Sequence, residues 1–132
     1  MKGFSGNVVK GLTRGSILVC HDNSGAKAIH IIGGIGQQGT RGRSPSFGVG
    51  DIVIASVRKG NPDMVKKVIR ALIIRQKKEY RRPMGIRILF EDNAAVLVTE
   101  DGLPVGTEIK GVVAREVAER FPKVAAIAPA VV

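Results

Sequence analysis

Between Ser16 and Glu100 the apolar residues of this chain come in six short runs, each closed off by turn-forming residues. The runs are "SILVCHD" (16–22), "AKAIHII" (26–32), "DIVIASVRK" (51–59), "VKKVIRALIIRQKK" (65–78), "IRILF" (86–90) and "AAVLVTE" (94–100). Val and Ile dominate them, and clusters such as "NSG" (23–25), "GNPDM" (60–64) and Asp101-Gly102 stand between or after them. That is the pattern of strands joined by tight turns. An open sheet this rich in Val and Ile would present sticky edges, and closure into a small β-barrel removes them. Aromatic residues are only 4% of the chain, so the core is aliphatic.

The period changes in the last third. In "VVAREVAERF" (112–121) Val113, Val117 and Phe121 recur every four residues, with Arg115, Glu116, Glu119 and Arg120 opposite. This predicts an amphipathic helix of about 2–3 turns. Its inner stripe packs on a core, and Arg115, Arg120 and Phe121 are candidates for protein contacts. Glu116 and Arg120 have the spacing of an i,i+4 ion pair. Pro122 interrupts, and "KVAAIA" gives one more short turn before Pro129. The 132 residues read as one mainly β domain: an extension over 1–15, a barrel with basic loops over 16–100, and a helical region over 101–132.

Charge narrows the function. The formal net charge is +10, and a domain this basic meets a polyanion. Eleven of the 21 Lys and Arg residues lie in 58–90, beside only Asp63 and Glu79, whereas seven of the eleven acidic residues follow Phe90. Lys59, Lys66, Lys67, Arg75, Lys77, Lys78, Arg81 and Arg82 belong to this basic third, which reads as an electrostatic footprint for nucleic acid rather than a solvated surface of mixed sign. The low aromatic content favours phosphate contacts and recognition of RNA shape over base stacking. No apolar run approaches the roughly 20 residues of a membrane span, the N-terminus lacks the apolar segment of a signal peptide, and the one cysteine fits a reducing compartment. A soluble intracellular protein is expected.

Three other motifs offer chemistry. Gly34, Gly36 and Gly39 spell the G-x-G-x-x-G of a dinucleotide loop, but such a loop must open a helix, and "TRGRSPSFGVGD" (40–51) has no apolar stripe. A glycine loop that lies on an RNA backbone, with Arg41 and Arg43 on phosphates, fits better. Cys20 and His21 point to opposite faces of a strand, and with His30 they fall short of a structural zinc set. Glu91-Asp92 and Glu100-Asp101 read as solvated turn residues. No cofactor, metal or catalytic group is called for.

The order "DNSGA" (22–26), "GVGD" (48–51), "ALIIRQKK" (71–78), "RRPMG" (81–85), "FEDNAAVLV" (90–98), "GTEIKG" (106–111) and "REVAERF" (115–121) resembles the large-subunit ribosomal protein fourteen family from about Ser16 onward. "FEDNAAV" and the first 15 residues look like its archaeal and eukaryotic branch. Met84 departs from the Asp, Asn or Ser the family usually has before the glycine, which weakens a tight turn at Met84-Gly85. The resemblance implies a five-stranded barrel with a protruding β-ribbon and short C-terminal helices. It implies binding to large-subunit rRNA and a place in the cytoplasmic ribosome, at a bridge to small-subunit rRNA. It also implies neighbours related to ribosomal proteins three, nineteen and twenty-four, and docking of the anti-association initiation factor six near 115–132. The rivals are a free nucleic-acid-chaperone barrel, which would bind many sequences alike, and a nucleotide-dependent enzyme, which would need a pocket at the glycine loop.

Overall fold

A computed structural model describes residues 8–35 and 43–132 of the chain. The described elements, in order, are β1 (Leu12–Thr13), β2 (Ile17–Cys20), β3 (Ala26–Gly34), β4 (Ser46–Phe47), β5 (Ile52–Gly60), β6 (Val68–Arg75), β7 (Tyr80–Arg81), β8 (Arg87–Ile88), β9 (Ala94–Val98), β10 (Val112–Val113), α1 (Arg115–Arg120), α2 (Pro122–Ala126) and β11 (Ala130–Val131). The expected runs become β2, β3, β5, β6, β8 and β9. The run 65–78 is regular strand only over Val68–Arg75, because Lys66 and Lys67 enter a bulge against Val57 and the Gln76 side chain reaches across to the Val9 carbonyl.

Strands β2, β3, β5, β6 and β9 close into a barrel in that order. Neighbours run antiparallel except at the seam, where β2 and β9 are parallel and pair Val19 with Ala94 and Cys20 with Ala95. Parity forces this: five strands of alternating direction leave the first and last pointing the same way. Register shifts in β3 supply local bends that a small closed sheet needs.

A five-stranded barrel has a narrow interior, and the sequence fills it by setting alanine against bulk. Ile31 faces Ala55, Ala71 lies between Val53 and Leu97, and Ile73 faces Ala95. All of these are buried in one cluster with Leu18, Ile29 and Val57. A second cluster lies outside the wall, where Leu72 and Ile74 of β6 and Ala94, Val96 and Val98 of β9 meet Val113, Val117, Phe121 and Val124 of the C-terminal region. β6 and β9 are thus covered on both faces, which is why "ALII" and "AAVLV" are continuous apolar runs rather than alternating ones. The predicted helix is shorter than its period suggests: it forms over Arg115–Arg120 with Val117 inward, because Val112 and Val113 pair with Ala130 and Val131 as strand instead, and Pro122 opens the second short helix rather than only ending the first. Part of the expected extension is tied to the body: Leu12 is buried and pairs with Phe47.

The seam is locked by Asp22, a buried residue just past β2. Its Oδ1 accepts from Ser24 Oγ (2.6 Å), Ser24 N (3.2 Å) and Cys20 Sγ (3.2 Å), and its Oδ2 accepts from Leu97 N in β9 (3.0 Å). Cys20 points inward and His21 outward, as strand alternation requires. Burial, joined by the charge and hydrogen bond of Asp22, pushes the Cys20 thiol up from 9.0 to about 12.

Two outcomes follow for stability. Asp22→Ala should lower the unfolding free energy by about 3 kcal/mol in urea titration, since it strands the buried Leu97 N–H and frees the turn. On the alkaline side, the native thiol keeps its proton while the unfolded thiol loses it above pH 9.0. The unfolded state then binds fewer protons, so stability falls as pH rises from 9 toward 12. Cys20→Ala should flatten that decline.

Candidate nucleic-acid interface

The fold sorts the basic segment into two classes of cation. Arg75, at the end of β6, is only 5% exposed. Its Nε lies 3.0 Å from Asp92 Oδ1, its Nη2 donates to Asp92 Oδ2 (3.2 Å), and its Nη1 donates to the Val112 carbonyl (3.0 Å). His21 Nδ1 meets the same Nη2, and His21 Nε2 lies 3.7 Å from Asp92. Asp92, expected to be solvated, is therefore the counter-ion of a buried guanidinium that joins β6 to the turn before β9 and to β10.

Arg82 is also turned inward, its side chain 13% exposed and that of its partner Glu116 15%. Arg82 Nε donates to Glu116 Oε1 (2.8 Å), Tyr80 Oη donates to Glu116 Oε2 (2.8 Å), and Arg82 Nη2 donates to the Val132 main-chain oxygen (2.7 Å). Burial pushes the Glu116 carboxyl up, but the hydrogen bonds from Arg82 and Tyr80 outweigh it and hold the group below its ordinary value. Burial and the Glu116 carboxylate together raise the Tyr80 phenol well above its own. Glu116 thus pairs with Arg82 and not with Arg120, four residues on. Arg120 Nη1 instead donates to the Gly50 carbonyl (3.1 Å). Phe121, a candidate for a protein contact, is buried in the second core cluster.

The other candidates face solvent. Arg43, Lys59, Lys66, Lys67, Lys77, Lys78, Arg81 and Arg115 are exposed. Among the described residues none of them has a carboxylate within ion-pair distance. Arg41 and the glycines at 36 and 39 lie outside the described residues. Among the described residues the first helix begins at Arg115, and the segment from 43 to 51 holds only the short strand β4.

Strand β6 divides the exposed cations. Lys66 and Lys67 precede it and Lys77 and Lys78 follow it, so its eight residues hold the two groups about 26 Å apart. At the first end Lys59 lies on β5, and two residues the sequence pattern did not single out, Lys27 and Arg58, are exposed beside it. Register is the signal that adds Lys27: Ala26 faces Gly60 and Ala28 faces Lys59. At the second end the backbone is held from beneath. Lys77 N donates to Asn93 Oδ1 (2.8 Å), and buried Gln76 donates to the Lys78 carbonyl (2.9 Å) and to the Val9 carbonyl (2.7 Å). The β7–β8 hairpin continues this end. Gly85 N donates to Arg82 O and Arg82 N to Ile86 O, with Gly85 at φ 89°. The tight turn therefore forms despite Met84, because Pro83 and Gly85 occupy the two positions that fix its backbone.

The arrangement offers fixed cations over a long span, which suits a phosphate backbone. Comparison with known proteins agrees in class. Residues 11–132 match the family described as ribosomal protein L14p/L23e. The large ribosomal subunit protein uL14 of Thermoplasma volcanium is 54% identical and that of Methanocorpusculum labreanum 49%, each over 132 residues and the full length of both chains. The same protein of Methanococcus maripaludis is 54% identical over 128 residues, 97% of each chain. The chain belongs to the ribosomal protein L14p/L23e family, whose members are structural components of the large ribosomal subunit and not enzymes.

Proposed function

We propose that this large-subunit protein binds large-subunit rRNA directly, with Lys59, Lys66 and Lys67 at one end of β6 and Lys77, Lys78 and Arg81 at the other touching phosphates. One observation carries the reading. Within the basic third, the two arginines that turn inward, Arg75 and Arg82, have carboxylate partners, while these six cations are exposed and have none among the described residues, on backbone that the barrel holds in place. Their mechanism is neutralisation of phosphates with release of counterions, and fixed spacing selects an RNA shape rather than a base sequence. Arg41 and Arg43 extend the footprint onto the glycine loop. Arg75 and Arg82 act through the fold, as ties that hold the interface together.

The finer placement is part of the same proposal. Exposed Arg115, with exposed Val131 and Val132 of the C-terminal segment, forms the surface for a protein neighbour, and the docking of initiation factor six belongs there. Neighbours related to ribosomal proteins three, nineteen and twenty-four, and a bridge to small-subunit rRNA, complete the setting.

Sedimentation of a tagged copy on a gradient that separates the subunits tests the reading. One copy per large subunit is expected, and a signal only at the top of the gradient at low salt would favour a free nucleic-acid-binding barrel. Residue roles are separable in purified protein. Arg81→Ala should lower the log–log salt slope of rRNA binding by about one unit with little loss of stability. Arg82→Ala should leave the slope unchanged and cost about 2–3 kcal/mol of unfolding free energy, because it strands Glu116. The lowered Glu116 carboxyl contributes stability above its ordinary value of 4.5 that is lost as pH falls below it, so Arg82→Ala should be less acid-sensitive than the parent.

A further inference from the structure

Eight described residues have φ in the left-handed region, and seven of them are glycines: Gly15, Gly25, Gly50, Gly60, Gly85, Gly102 and Gly111. The eighth is Lys66, at φ 69°. An L side chain in that region crowds its own carbonyl; glycine escapes the strain and asparagine tolerates it, but lysine has no such relief. The described residues otherwise obey the rule, so the one exception among them calls for a cause.

The local geometry shows what the position needs. Lys66 N donates to Val57 O (2.9 Å), and Val57 N donates to Lys67 O (3.0 Å), so two residues of one strand face one of the other. This is a β-bulge whose first residue must be left-handed, a place glycine ordinarily takes. The β7–β8 hairpin of the same chain fills its left-handed position with Gly85. At the β5–β6 hairpin a lysine stands instead. Its side chain is exposed and makes no hydrogen bond or ion pair to a described residue, so the fold draws nothing from it. Its surroundings oppose it as well, for Lys59 and Lys67 are exposed cations on the same hairpin. Backbone strain and like-charge repulsion thus both disfavour Lys66 in the isolated protein.

We propose that Lys66 is a direct phosphate contact, kept at a strained bulge because the bulge aims its ammonium at RNA. Strain of this sort persists where it serves a site. The proposal rests on the RNA-binding reading above, and it adds that stability and binding are opposed at this one residue.

The test uses the full chain with Lys66→Gly, Lys66→Asn, Lys66→Arg and, as a charge control away from both ends of β6, Lys123→Ala. Thermal unfolding without RNA reads the strain, and filter retention of full-length Thermoplasma volcanium large-subunit rRNA across a potassium chloride series reads the contact. Lys66→Gly should raise the melting temperature by about 2–4 °C. It should also lower the salt slope by about one unit and weaken binding about threefold to tenfold. Lys66→Asn, which tolerates the left-handed region, should lower the slope equally; Lys66→Arg should keep it, as should Lys123→Ala. A Lys66→Gly protein that binds with the parent's slope, or that loses no more slope than Lys123→Ala, overturns the proposal and removes Lys66 from the footprint, and one that melts lower overturns the opposition of stability and binding; in each case RNA binding through the other five cations stands. A parent protein without salt-dependent binding overturns the RNA reading itself, and the proposal with it.

Discussion

Everything in this fold depends on closing an odd-stranded barrel. The parallel seam between β2 and β9 cannot be made by a hairpin, and its register covers only two residue pairs. A backbone ladder that short is a weak closure, and Asp22 completes it: one oxygen organises its own turn and the other takes the amide of Leu97 across the seam. The cost of burying a carboxylate is offset by four donors. With the seam shut, β6 and β9 form a wall with apolar residues on both sides, and the helices have somewhere to pack.

The strands were legible because turn residues punctuate them, and the helix was legible from its period. Four of the two-residue strands were not. β1, β4, β10 and β11 are too short to show a period, and each exists only because a distant partner pairs with it. The candidate site was legible as composition but not as geometry. Arg75 and Arg82 look like their neighbours in "RQKKEYRR", and their partners Asp92 and Glu116 stand 17 and 34 residues away. One local signal was present: Tyr80, a large amphipathic side chain in a basic run, marks a place where the chain turns inward, and it is fully enclosed beside Arg82. Sequence spacing also favoured an ion pair of Glu116 with Arg120. Glu116 pairs with Arg82 because one carboxylate there receives both a guanidinium and a phenol, a stronger arrangement than an exposed i,i+4 pair.

A net charge of +10 on a domain this small sets a problem of self-repulsion. Inward arginines do not add to it, since Asp92 and Glu116 neutralise them locally. Outward lysines do, and those at each end of β6 lie close enough for salt to screen them only in part. The aliphatic core and the closed ladder hold them together all the same, so the charge can be presented on rigid backbone rather than on a segment that must order when it binds.

The division of labour among polar side chains bears this out at Asp92 and Asn93. These adjacent residues have opposite tasks. Asp92 cancels a cation that the fold needs inside, while Asn93 fixes the backbone of Lys77, a cation that faces out. Gln76 does the same for Lys78. Both anchors beneath the exposed lysines are neutral amides. A carboxylate there could accept the same hydrogen bond from Lys77 N, but it would also place a negative charge next to the ammonium groups and draw them back onto the protein. Setting the geometry of Lys77 and Lys78 with amides, while Asp92 and Glu116 take the buried guanidiniums, leaves the field of these two outward cations available to an anionic partner.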